Sequence, residues 1–196
     1  MAIGYCTMIT IDDLRKELEL IKDKPKFQKM LDFASILTSF FEQENIKPIV
    51  VGGLSVEIYT RNDYTTHDID FVSSGWDRFD QVLREIGFTK TEREWYHTEA
   101  ELAIEVPDNY LDGDYDRVIE LHLPNSRKLY VIGIEDIIIH RLEGIFHSNP
   151  EDDVDYEWAM RMFLIHKDDN IDLDYLINEA KRTKTYQIIE KWLELG

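Results

Sequence analysis

The sequence predicts an α+β domain: a mixed sheet packed by helices, with N-terminal helices ahead of it and a C-terminal helical section behind. Three observations predict this. Apolar residues recur at helical spacing up to residue 46, five short β-branched runs fall between residues 47 and 132, and helical spacing returns from residue 134. The expected division is a core over 1–133, including the N-terminal helices, and a helical section over 134–196 packed on it. A chain of 196 residues suits this size.

The elements follow in order. Thr10 precedes "IDDLRKELELI", in which Ile11, Leu14, Leu18 and Ile21 share a face and Asp13 stands three residues after the cap. Pro25 ends that helix. "FQKMLDFASILTSFFEQENI" forms a second, with Phe27, Met30, Leu31, Ala34, Leu37 and Phe41 as its apolar stripe. "KPIVV" is a buried strand that stops at Gly52-Gly53, where a short helix, "LSVEIYT", begins. "DIDFV" is the next strand, and "GWDRFDQVLREI" an amphipathic helix closed by Gly87 in the C′ position. "LAIEV", "RVIELHL" and "KLYVI" are strands. "IEDIIIHRLEGIF", "PEDDVDYEWAMRMFLI", "LDYLINEAK" and "YQIIEKWLEL" are helices.

Forty acidic residues against 22 basic give a net charge of −18, which opposes long-range attraction to polyanions. No strong generic nucleic-acid binding by the isolated chain is expected, although net charge does not exclude a local basic groove. The lone Cys6 excludes an intramolecular disulfide framework. No apolar run reaches the ~20 residues that span a bilayer, and the first residues lack the pattern of a signal peptide. A cytoplasmic location without membrane association is the expectation.

The stretch richest in chemistry is "VVGGLSVEIYTRNDYTTHDIDFV", residues 50–72. Asp68 and Asp70 alternate along a strand and so share one face, about 7 Å apart, while Ile69 and Phe71 take the other. Carboxylates so placed repel each other unless a cation lies between them, and hard oxygen ligands suit Mg²⁺. Gly52 and Gly53 allow close approach of backbone to a phosphate at the start of a helix. A third acid is sought on a later strand. Glu105 in "AIEVP" and Glu120 in "VIELHL" both have the apolar–acid–apolar form, and the local pattern does not choose between them. A hairpin through "FTKTEREW" would return the strand of Glu105 beside Asp68 and Asp70, whereas Glu120 has a ready role as an edge-strand charge.

Taken together, Val51-Gly52-Gly53 and Asp68-Ile69-Asp70-Phe71, 14 residues apart, resemble the signature of the DNA polymerase β-like nucleotidyltransferase superfamily. The wording over roughly residues 48–160 is similar to a branch of small prokaryotic nucleotidyltransferases that includes the minimal nucleotidyltransferases and the AbiE-type toxins. The matching residues are Val56-Glu57-Ile58-Tyr59-Thr60, Tyr64, Thr66, Ile104-Glu105-Val106-Pro107, Leu111 with Gly113, Glu135-Asp136 and Arg141-Leu142. Ser55 and His140 depart from it, standing where alanine and an acid are common. The resemblance implies transfer of a nucleoside monophosphate from an NTP, ATP among them, to a hydroxyl. Two Mg²⁺ ions (or Mn²⁺) would be held by Asp68, Asp70 and Glu105, the last being the position of the third acid in such sequences. Gly52, Gly53 and Ser55 would cradle the triphosphate. The acceptor (a tRNA, a protein or a small molecule) is left open, and a partner protein of a toxin–antitoxin pair is an expectation of the same kind. The alternative is a non-catalytic nucleotide-binding or partner-binding module on the same fold. A Ca²⁺-binding scaffold is disfavoured, since no loop has EF-hand spacing.

Other polar residues have plainer readings. His67 is a surface neighbour of the acids, and Arg141 a partner for Asp155. His140 and His147 are seven apart without a third ligand, and "PEDDVDYE" is an acidic helix start. Trp95-Tyr96-His97 belongs to a hairpin core rather than to a base-stacking platform.

Overall fold

The computed structural model describes residues 8–145 and 150–194, which leaves Cys6 and His147 outside the described residues. Helix α1 (Ile11–Ile21) opens with a capping box between Thr10 and Asp13. Helix α2 (Lys26–Glu42) ends four residues before the apolar pattern does. Asn45 there adopts φ +59°, and the Ile46 amide bonds the Phe41 carbonyl, a Schellman turn that uses asparagine in place of glycine. Strand β1 (Ile49–Val51) leads straight into α3 (Gly52–Tyr59), then β2 (Asp68–Val72) and α4 (Trp76–Glu85). Gly87 closes α4 at φ +100°, with the Phe88 amide on the Leu83 carbonyl, the C′ glycine that the sequence predicts.

A hairpin of β3 (Thr89–Lys90) and β4 (Glu94–His97) follows, then β5 (Leu102–Asp108), β6 (Ile119–His122) and β7 (Lys128–Val131). Among the described residues these make one seven-stranded sheet of order β3-β4-β5-β2-β1-β7-β6. The pairs β2–β5 and β1–β7 are parallel and the remaining pairs antiparallel. The mixed sheet with flanking helices is thus the architecture expected from the sequence.

The two faces of the central strands differ. On one, Ile69, Phe71 and Ile104 are fully buried. Phe71 meets Phe79 of α4 at 5.6 Å between ring centroids, and Phe79 stacks on Phe41 of α2 at 4.0 Å. Rings of this size supply much of the burial energy of a domain, about 1.5–3 kcal/mol each. The other face carries the acids and is only partly covered. Helices α5 (Ile134–Glu143) and α6 (Val154–His166) pack against α3 beside it, while α7 (Leu173–Arg182) packs on α5 and α8 (Tyr186–Glu194) on α7. Phe163, Leu176, Ile189 and Trp192 of these helices join the same apolar core as the sheet. The segment "PEDDVDYE" begins as a 3₁₀ turn at Pro150–Asp152, and Asp153 caps α6.

Candidate functional site

Register decides which acids meet. In the parallel β2–β5 ladder Asp68 lies beside Ala103, Ile69 beside Ile104 and Asp70 beside Glu105. Laterally paired residues share a face, so Asp68, Asp70 and Glu105 occupy the partly open face and Ile69 and Ile104 the buried one. On either side the row continues to Val51 of β1 and Glu94 of β4. Glu120 is elsewhere: β6 is the far edge of the sheet, with β2, β1 and β7 between it and β5. Its carboxylate meets Lys128 at 3.3 Å.

The two glycines are needed by what faces them. Gly52 has φ +56°, and a Cβ there would lie 2.0 Å from Oδ2 of Asp70; one on Gly53 would lie 2.2 Å from Oγ1 of Thr66. The turn therefore closes directly onto the Asp-x-Asp segment. The Gly53 amide, an otherwise uncapped donor at the start of α3, bonds Oδ2 of Asp70 at 3.3 Å. Thr66 donates its hydroxyl to Oδ1 of Asp68 at 2.8 Å, and its own amide bonds the buried carboxylate of Glu57 at 3.2 Å. Thr66 and Glu57 thus position the first aspartate, a role their sequence pattern had not assigned.

Ser55 does not face the cleft. It is fully buried, and its hydroxyl donates to the Gly52 carbonyl at 2.8 Å, so it braces the turn and cannot reach a triphosphate in this conformation.

Electrostatically the row is compensated only in part. Burial, and after it the charge of Asp68, raise the Asp70 carboxyl to about 7 against the ordinary 3.8; Glu105 adds to the rise, while the Gly53 amide and Arg141 oppose it. Glu105 is also raised, by burial first and then by Asp68 and Glu94, while Arg93 opposes the rise. Among the described residues no lysine or arginine lies within 4 Å of the carboxylates of Asp68, Asp70 or Glu105. An all-oxygen set of this charge suits a hard divalent ion in donor type. It is not a finished cage, because no group of three or more His, Cys, Asp or Glu among the described residues is arranged to hold a metal.

Beyond Asp70, a cavity of about 460 Å³ runs past Gly52 and Val72 to Pro107, Leu111, Ile137, His140 and Arg141. Its wall explains several residues of the sequence pattern. Asp136 accepts from the Asp114 amide at 3.0 Å and from the Tyr175 hydroxyl at 2.7 Å, and a Cβ on Gly113 would lie 2.7 Å from its Oδ2. Glu135 accepts from the Asp172 amide at 2.7 Å and faces Arg117 at 3.6 Å. These acids tie the loop over the cavity, and the start of α7, to α5. Arg141 pairs with Asp155 at 2.8 Å, as the sequence suggested, and also lies 5.6 Å from the ring of Tyr64. His140 approaches Asp112 at 3.9 Å. Trp95 is fully buried and donates to Asp80 at 2.8 Å, which fits the hairpin-core reading.

A search of the curated proteins gives no match. Among solved structures, an antigenic nucleotidyltransferase-like protein from Paracoccidioides brasiliensis superposes with a TM-score of 0.52 at 13% identity, over 87% of this chain and 92% of that one. At that identity the likeness concerns the fold alone. The family model DUF6036, nucleotidyltransferase of unknown function, matches residues 27–193, a span that takes in the glycine turn, all three carboxylates and the helices that wall the cavity, and the chain belongs to that family.

Proposed function

We propose that the protein is a polymerase β-like nucleotidyltransferase that moves a nucleoside monophosphate from an NTP to a hydroxyl acceptor. The observation that supports this reading is the row of Asp70 and Glu105, with Asp68 on the same face, set against a glycine turn and, among the described residues, without a lysine or arginine in ion-pair contact. Asp68, Asp70 and Glu105 would hold Mg²⁺, or Mn²⁺ in its place. Bound there, the ions supply charge neutralisation at the phosphates and a more acidic acceptor hydroxyl. Gly52 and Gly53 let the turn at the start of α3 close onto Asp70 and Thr66, which brings the Gly52 edge of the cavity beside the carboxylates, and that cavity is of a size for the nucleoside. Thr66 and the Gly53 amide hold the two aspartates in orientation before substrate arrives. The acceptor oxygen bonds the α-phosphorus, the bond to pyrophosphate breaks, and the acceptor proton leaves through the carboxylate side of the site.

A role in a toxin–antitoxin pair, of the AbiE kind or another, belongs to the same proposal and is tested by whether expression alone arrests growth. A second reading, binding without turnover, draws on the unfinished convergence of the three acids. One assay separates the two: the protein is incubated with each α-labelled NTP, Mg²⁺ and cell extract. Label transferred covalently by the wild type and lost in Asp68→Asn and Asp70→Asn supports transfer. Metal-dependent NTP binding without transfer supports the second reading, and NTP binding that survives loss of both aspartates overturns both.

A further inference from the structure

A second cavity, of about 520 Å³, opens on the other side of the acidic row. Its floor is Ala103, the neighbour of Asp68 across the β2–β5 ladder, and Tyr96, the neighbour of Ala103 on β4. Three lysines, Lys24, Lys26 and Lys29, converge there with His67, in a chain of net charge −18. Lys24 is committed to Asp32 at 2.7 Å. The other two form no ion pair: among the described residues neither Lys26 nor Lys29 has a carboxylate within 4 Å, although Lys26 acts on Glu57 from further away. Lys29 is 95% buried (relative exposure 5%), and its ammonium bonds the Ala100 carbonyl at 2.8 Å. A buried ammonium has three protons to place and is costly to leave unpaired. Lys26 donates to Nδ1 of His67 at 2.6 Å, which keeps that ring in reach of the same space. Lys26 is also the first residue of α2, whose N-terminus has no side-chain cap and no acid in its first turn. Glu94 and Glu101 line the cavity too, and they confine an anion to the lysine end.

We infer that this cavity receives the acceptor substrate by a phosphate group, held between Lys26 and Lys29, with the acceptor hydroxyl directed toward Asp68 and Glu105. The inference rests on the nucleotidyltransferase reading and adds the class of acceptor: a phosphorylated small molecule. The volume is that of a small-ligand site, and the acidic surface disfavours a polyanion. The nucleotide and the acceptor then enter from opposite sides of the carboxylates.

The test is calorimetric titration of the full chain with glycerol 3-phosphate in EDTA, which removes metal from the first site. Wild type should bind; Lys26→Gln should weaken binding about tenfold, the loss of one charged hydrogen bond, and Lys26→Arg should restore most of it. Lys29→Met should act in the same direction if it folds, and the Lys26 pair decides the matter if it does not. No binding by wild type, or equal binding by wild type and Lys26→Gln, overturns the inference. A 5′-phosphorylated oligonucleotide bound more tightly than glycerol 3-phosphate at about 0.15 M salt overturns the choice of a small molecule. NTP binding with Mg²⁺, measured separately and expected to be unchanged in Lys26→Gln, reports on the nucleotidyltransferase reading alone.

Discussion

Asp70→Asn should stabilise the metal-free protein at pH 8 while removing metal-dependent nucleotide binding. The Asp70 carboxyl is held near 7 rather than 3.8, by burial first and by Asp68 second. At 1.36 kcal/mol per pH unit, that difference is a ceiling of about 4 kcal/mol. Partial solvent access and relaxation reduce it, and roughly 2 kcal/mol is the working figure. The sign follows from linkage. The folded state binds the proton more tightly than the unfolded chain, so the contribution of this group to stability is full below pH 3.8. It is lost as pH rises to about 7 and is constant thereafter. Asparagine carries no charge at any of these values and keeps an oxygen for the Gly53 amide. For a chain of this length 1 kcal/mol moves Tm by about 2–4 °C. Thermal melts in EDTA should therefore place Asp70→Asn roughly 4–8 °C above wild type at pH 8 and level with it near pH 3.8. Mg²⁺ with NTP should raise the wild-type Tm at pH 8 and leave the variant unmoved. A variant less stable than wild type at pH 8, or a difference independent of pH, would refute the reasoning, because Asp70 would then be a satisfied structural acid.

Glu105→Gln should abolish turnover while leaving NTP affinity within about tenfold, since Asp68 and Asp70 remain; Glu120→Gln, on the far edge strand, should be silent in a single-turnover assay. Gly52→Ala and Gly87→Ala both force alanine to positive φ, at about 1–2 kcal/mol each. Only the first sets a methyl against Asp70, so equilibrium denaturation should show both losses and NTP titration only that of Gly52→Ala. Tyr175→Phe removes a hydrogen bond from Asp136, with an expected cost of about 1 kcal/mol. Hydrogen exchange should show faster opening of the Asp114 amide, which shares that carboxylate.

What the sequence disclosed follows from what each pattern encodes. Asp68 and Asp70 are legible because strand parity is local: Ile69 and Phe71 take the fully buried face, so the acids share the other. Glu105 needed long-range information, and the hairpin argument supplied it, even though Thr89–Lys90 is too short to show as an apolar run. The glycine pair is legible as a turn, but its reason is not. The close contacts are with Asp70 and Thr66, which lie 18 and 13 residues further on. Ser55 was misplaced because its direction depends on a backbone bond at the first turn of α3, which residue type does not reveal. The convergence of Lys24, Lys26 and Lys29 was hidden for a similar reason, as it exists only where the start of α2 meets the β4–β5 connection.

The contrast among the acids of this chain is itself an argument about function. Glu135, Asp136 and Asp155 each meet a cation or a hydrogen-bond donor: Arg117 and the Asp172 amide, Tyr175 and the Asp114 amide, and Arg141. Those pairings hold α5 to the loop over the cavity, to the start of α7 and to α6. Asp70 has a single long amide bond, and Glu105 has no side-chain hydrogen bond among the described residues. Both stand in a row of like charge. The chain has 22 basic residues, yet among the described residues Arg141 and Arg93 act on Asp70 and Glu105 only from a distance, whereas Arg141 forms an ion pair with Asp155. Folding alone gives no reason to leave these carboxylates bare, since burying them without a partner costs stability. A ligand that brings positive charge to the row recovers that cost on binding. The same acids would then bind the ligand more tightly for having been left unpaired.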